Sequence, residues 1–327
     1  MQQELLQRSQ DELRQRLQAP PLFTTLALHD ERLLALRPDG SVYGFGDNAT
    51  GGLGQSVAEH RVRPIAPQER RFSPWVEPLR LVYGVLGARQ LALGGGHSLA
   101  VLEDGALCAW GFGDAGQLGV KPPRRPLANV QLDPRKVAGL PPLSAAAAGD
   151  GHSLALDSQG QVWTWGLNSM GQLGDGTRQN RYHPRAIAGL DRITALAAGA
   201  IHSLALDSHG RVWSWGANTY GQLGRPTGRH DFARKPLPVA GLPAVTALAA
   251  AGDVSAALGR DGAVWWWGGH LERNVALRST PWELQRLQGV GRAVSLAAFA
   301  RGLVIVDEQG KVWLFAQPYE HPPRRLR

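Results

Sequence analysis

Three histidines, His97, His152 and His202, recur in near-identical surroundings, each followed by Ser-Leu-Ala. A zinc site would need their ring nitrogens about 2.0–2.1 Å from one ion. Residues 55 and 50 positions apart meet there only if all three point at a common axis. They are therefore read as structural, bonding backbone groups and the adjacent turn. Gly111-Phe112-Gly113-Asp114-Ala115-Gly116 fits G-x-G-x-x-G, but a dinucleotide site needs a helix N-terminus straight afterwards inside a βαβ unit. Here 'QLGVKPPRRP' follows, with three prolines and no helical period. Gly174–Thr177 ('GDGT') and the Asp-Gly pairs are turn chemistry. No acidic spacing matches a calcium loop. Gly-x-Ser-x-Gly, His-Glu-x-x-His and Gly-Lys-Ser/Thr are all absent from the sequence. The expectation is a protein that is not an enzyme, with no catalytic residue, cofactor or metal.

Cationic side chains are a different matter. The segment 55–90 contains Arg61, Arg63, Arg70 and Arg71 beside Phe72 and Trp75. A second, Pro-rich segment runs from Lys121 through Arg124 and Arg125 to Lys136. A third, Arg225–Lys235, includes Arg229, Arg234 and Lys235, and Arg324, Arg325 and Arg327 end the chain. With a formal charge of +8 and a pI near 10.2, these clusters point to acidic partners. An acidic protein surface is the first reading. Nucleic acid, with phosphates on the arginines and bases stacked on Phe72 and Trp75, is a further one.

The rest of the chain must position these segments. Hydrophobic residues make up 43% of the 327, enough for a substantial core, and 41 glycines with 11 tryptophans suit tightly turned β structure. Cys108 is the only cysteine, so no internal disulfide exists; it stands where other repeats place Tyr or Trp and is expected to be buried and inert. No basic-then-apolar leader and no run of about 18 apolar residues is present. A soluble cytoplasmic protein without membrane insertion is expected. Residues 1–20 differ from the remainder: Leu5, Leu6, Leu13 and Leu17 form a narrow apolar stripe before Pro20-Pro21, which predicts a short amphipathic helix.

From residue 21 onward one unit returns six times, with turn glycines at Gly40, Gly105, Gly160, Gly210, Gly262 and Gly310, at intervals of 48 to 65 residues. Each interval has room for four short strands. An Ala/Gly-rich run suits a crowded innermost strand, and a second strand follows it up to the turn. Beyond the turn lies a third, aromatic strand such as 'QVWTW'. The third and fifth positions past the turn share one face and hold Trp110, Trp163, Trp165, Trp213, Trp215, Trp265, Trp267 and Trp313. These are expected to pack blade against blade, each removing about 150–250 Å² from water.

Ala147-Ala148-Gly149-Asp150-Gly151-His152-Ser153-Leu154, its copy at 197–204, and Trp-Gly-x-Asn-x-x-Gly-Gln-Leu-Gly at 165–174 and 215–224 resemble the regulator-of-chromosome-condensation repeat family. The resemblance implies an all-β propeller over about residues 22–316. Six blades are the first expectation. A seventh, assembled from the two chain ends as in the seven-bladed founding member, is the second. The terminal repeats depart from the pattern, with Arg32, Val254 and Gly302 at the histidine position. The resemblance further implies a protein-binding scaffold or, as the alternative, a nucleotide-exchange regulator of a small GTPase.

Overall fold

The computed structural model describes residues 23–29, 31–54, 75–121, 129–228, 230–269, 283–299, 302–316 and 324–325. Residues 1–20, the expected helix, lie outside these. The described chain is all β: six four-stranded sheets, each made of four consecutive strands paired in sequence order. These are the blades of a propeller. No sheet mixes strands from the two chain ends, so the described residues form six blades and not a seventh completed by the termini.

Blade three shows why the sequence folds this way. Its strands are Leu143–Ala148, His152–Asp157, Val162–Gly166 and Arg181–Ala186, from the axis outward. The turn between the second and third is set by Asp157, whose Oδ1 accepts from the amides of Gln159 and Gln161, while Gly160 takes φ +83°. The second strand is buried along its whole length, lying between an inner and a third strand and between two neighbouring blades. The same is true of His97–Leu102, His202–Asp207 and Val254–Gly259. The fourth strands are half exposed and hold Pro134, Pro184 and Pro236, tolerable because their outer edge needs no amide donor.

The fifth-position tryptophans Trp110, Trp165, Trp215 and Trp267 are fully buried. Each sits among the aliphatic side chains of the blade before it, as Trp165 does among Leu99, Val101, Leu107 and Ala109. Blade one has Phe45 at this position, and it is only half-buried. On the same face Leu26 is 56% and Leu28 58% exposed, whereas the equivalent Leu91 is 6% exposed. Successive inner strands pack against one another from blade one to blade six, but Thr25–His29 and Ala293–Phe299 do not pack in that way. Among the described residues, therefore, no strand joins the first blade to the last.

Candidate protein-interaction surface

The three histidines form a relay that fixes each blade to the next. His97 Nε2 lies 2.8 Å from Ser153 Oγ, His152 Nε2 3.0 Å from Ser203 Oγ, and His202 Nε2 2.8 Å from Ser255 Oγ. Each serine in turn donates its hydroxyl proton to a main-chain carbonyl of the blade before: Gln117, Gln172 and Gln222 respectively. Because that proton is committed, the serine oxygen accepts and the imidazole donates through Nε2–H. The same three carbonyls receive the indole N–H groups of Trp165, Trp215 and Trp267 at 2.8–2.9 Å. The side-chain partner of each Nε2 is thus a serine of the next blade, a contact the sequence did not reveal.

With Nε2 donating, each Nδ1 is a bare acceptor, buried and without a partner. A proton there would be a desolvated charge, so burial holds His97 and His202 down to about 3 and His152 to about 4. These values lie below the unfolded value of about 6.5. The unfolded chain therefore binds protons that the folded chain refuses as pH falls below 6.5. Stability should drop from about pH 6.5 towards pH 4, by about 1.4 kcal/mol per pH unit for each histidine. Urea midpoints between pH 7 and 4.5 check this. His152→Gln should shed about one proton's worth of slope, and a flat profile in the parent would contradict the assignment.

A second fixed contact holds the third-position tryptophans. Trp163, Trp213 and Trp313 donate Nε1–H to Asp157, Asp207 and Asp307 at 3.1, 3.2 and 2.9 Å. In blade five Gly259 replaces the aspartate, and Trp265 Nε1 has no partner. These side chains are scaffold, which leaves the loops and the outer strands for recognition.

Of the basic residues singled out from sequence, Arg61, Arg63, Arg70, Arg71, Phe72, Arg124, Arg125 and Arg229 lie outside the described residues. Trp75 opens the outer strand Trp75–Leu81 of blade one. Lys121, Arg234 and Lys235 are exposed. Arg225, at the start of the third basic segment, turns inward and donates Nη2–H to Ser214 O at 3.0 Å.

The outer strand Phe232–Pro238 of blade four crosses the glycine loop of blade three. A Cβ on Gly171 would stand 2.8 Å from Arg234 Cα, so only glycine permits the crossing. The Gly176 amide donates to Arg234 O at 2.9 Å. This register brings in a residue that sequence did not single out: the Arg178 guanidinium lies over the Phe232 ring, 4.8 Å from its centre. His230 stacks on Phe232 at 5.3 Å. Nearby Arg181 is neutralised by Asp175. Burial alone would raise the Asp175 carboxyl, but bonds from Thr177 and Arg181 bring it below the usual range. Among the described residues no ion pair engages Arg178, Arg234 or Lys235. The junction of blades three and four is an exposed cationic patch with an aromatic centre.

A propeller of six repeats, its central blades pinned by His–Ser and Trp–carbonyl bonds, defines a class of protein. The chain belongs to the RCC1-like domain family, whose model matches residues 2–302. Over 147 residues it is 33% identical to human E3 ubiquitin-protein ligase HERC2, covering 44% of this chain and 3% of that protein. Over 160 residues it is 34% identical to the guanine nucleotide exchange factor SRM1 of Saccharomyces cerevisiae, covering 47% of this chain and 31% of the yeast protein. The chain thus matches under a third of the length of either relative. Its fold matches that of Saccharomyces cerevisiae Prp20p with a TM-score of 0.74 at 24% identity, covering 93% of this chain and 77% of Prp20p, a structure described together with its binding to Gsp1p and histones.

Proposed function

We propose that this protein is a non-enzymatic interaction scaffold that binds an acidic protein surface through basic segments displayed on its blades. The cationic patch of Arg178, Arg234 and Lys235 around Phe232 carries the reading. Arginine and aromatic residues are the usual energetic centres of interfaces, and three exposed cations that no ion pair engages among the described residues favour a negatively charged partner. The likeness to Prp20p, described with its binding to Gsp1p and histones, supports a protein partner.

The test is affinity capture from the native cell with the parent and with the Arg178→Glu/Arg234→Glu/Lys235→Glu variant, followed by mass spectrometry and reconstitution of the recovered pair. An acidic protein bound by the parent and at least tenfold more weakly by the variant is expected. Partners that bind both equally would overturn the role given to the patch. A nucleic acid in place of the protein would show as steep loss of binding between 50 and 200 mM salt. The likeness to the exchange factor SRM1 favours a second reading, regulation of a small GTPase. Acceleration of fluorescent-GDP release from one of the host's small GTPases would support it, and unchanged release across the set would remove it.

A further inference from the structure

Cys108 occupies the third position past the turn, where blades three to six carry Trp163, Trp213, Trp265 and Trp313. In blades three, four and six the indole packs on the apolar cluster at the junction with the preceding blade. Trp163 lies against Val137 and Leu140, and Trp213 against Ile187 and Leu190. In blade two the equivalent wall, Val82 and Val85, is present and buried, but the third-strand residue that joins its cluster at this position is the small Cys108 instead of an indole. The turn aspartate that elsewhere receives the indole N–H is also gone: Leu102 stands in its place. The exchange is thus coherent, with the aromatic ring and its anchor absent together.

An open pocket results. A cavity of about 440 Å³ lies in front of Cys108, lined by Leu102, Leu86, Pro134 and the Lys136–Asp104 ion pair. That volume is in the range of ligand sites, about 300–1,000 Å³. At the mouth Leu86 is 82% exposed, beside the charged Glu103, Asp104 and Lys136. Leu86 is the most exposed large hydrophobic residue described, and such side chains around a concave site mark contact surfaces. The thiol itself is no nucleophile, since burial pushes Cys108 upward.

We infer that the groove between blades one and two is a docking pocket for an aromatic side chain, an indole in particular, supplied by a protein partner in the place that blades three, four and six fill from their own third strand. The occupant follows from the molecule itself, which shows what this groove holds when it is full. The apolar part of the lining, Leu102, Leu86, Pro134 and Cys108, receives the ring. The ion pair of Lys136 and Asp104, at 3.2 Å and well exposed, offers both a donor and an acceptor to the partner's backbone. This pocket is separate from the cationic patch of blades three and four, and it stands or falls without it.

N-acetyl-L-tryptophanamide is the probe, titrated into the whole protein while amide and methyl resonances are followed. Saturable shifts at Leu86, Leu102 and Cys108 are expected, with N-acetylglycinamide producing none and N-acetyl-L-leucinamide binding several-fold more weakly. Cys108→Trp, which installs the ring from within, should weaken binding at least tenfold. Leu86→Asp should do the same, and because Leu86 is exposed this variant keeps the test decisive if Cys108→Trp folds poorly. Absence of saturable shifts at these residues, equal binding of the leucine amide, or undiminished binding by a folded variant would each overturn the assignment.

Discussion

Trp215→Ala should lower the free energy of unfolding by about 3–5 kcal/mol. The indole is fully buried and lies among Leu154, Leu156, Val162 and Ile187 of the preceding blade. Its removal leaves a hole walled by strands that are hydrogen-bonded on both edges and cannot close in. It also takes one donor from Gln172 O, which Trp215 approaches to 2.8 Å. Phe45→Ala removes an aromatic ring from the same position of blade one, yet should lower stability by less than half as much. Phe45 is half-buried, and among the described residues no blade packs on its face as the preceding blade packs on Trp215. Urea denaturation of both variants, compared at constant slope against denaturant, checks the pair. Equal losses would mean that the first blade's outer face is covered as the inner faces are.

That contrast belongs to a wider rule. Ser98 with Trp110, Ser153 with Trp165, Ser203 with Trp215 and Ser255 with Trp267 occur together, and each pair sends two donors to one carbonyl of the preceding blade. Leu33 with Phe45 and Leu303 with Phe315 also occur together, and neither side chain of these pairs has a proton to donate. Blade five has no Gly-Gln-Leu-Gly loop to present the accepting carbonyl to blade six. Serine or tryptophan at 303 and 315 would bury a donor whose acceptor in the other blades, the carbonyl of that loop motif, has no counterpart in the sequence; a buried donor left unpaired costs about 1–3 kcal/mol. Val254 follows the same logic. It stands at the histidine position and packs on Leu303 in an apolar cluster, so the His–Ser bond is replaced as a pair. What reads in the sequence as wear of the terminal repeats is a consistent change of partners.

The six-fold repeat, the all-β class and the inward tryptophans could be read from the sequence because they rest on period alone. A turn glycine and alternate aromatic positions say which way side chains point without any knowledge of what they meet. The histidines were legible as structural but not in their partner, because Ser153 is 56 positions from His97 and nothing local links them. The paired loss of serine and tryptophan was the available signal. Arg178 escaped notice for a related reason. It follows a loop in blade three, and it becomes part of a surface only through Phe232, which the register of an outer strand in blade four brings over it. Cys108 was noticed as an exception to the aromatic pattern, but the pocket in front of it depends on Leu86 and Pro134 from two other turns of chain.

Gly166→Ala should be as damaging as the loss of a buried tryptophan, although it adds a single methyl group. Gly166 has φ +102°, and a Cβ built there would stand 2.6 Å from Gly151 O and 2.9 Å from His152 Cα. Both obstacles are backbone, and neither can rotate aside. Relief requires moving the second strand away from the third, which would pull His152 from Ser203, now 3.0 Å away. The left-handed conformation contributes about 1–2 kcal/mol and the overpacking about 1–3 kcal/mol more. Gly189→Ala separates the two effects. Gly189 has φ +86° but open space around its Cβ position, with nothing within 4 Å, so only the conformational part should appear. The difference between the two variants in urea denaturation measures the steric contact between the second and third strands. If it were near zero, the close approach of Gly166 to the histidine strand would not be what makes Trp-Gly a fixed pair in blades two to five.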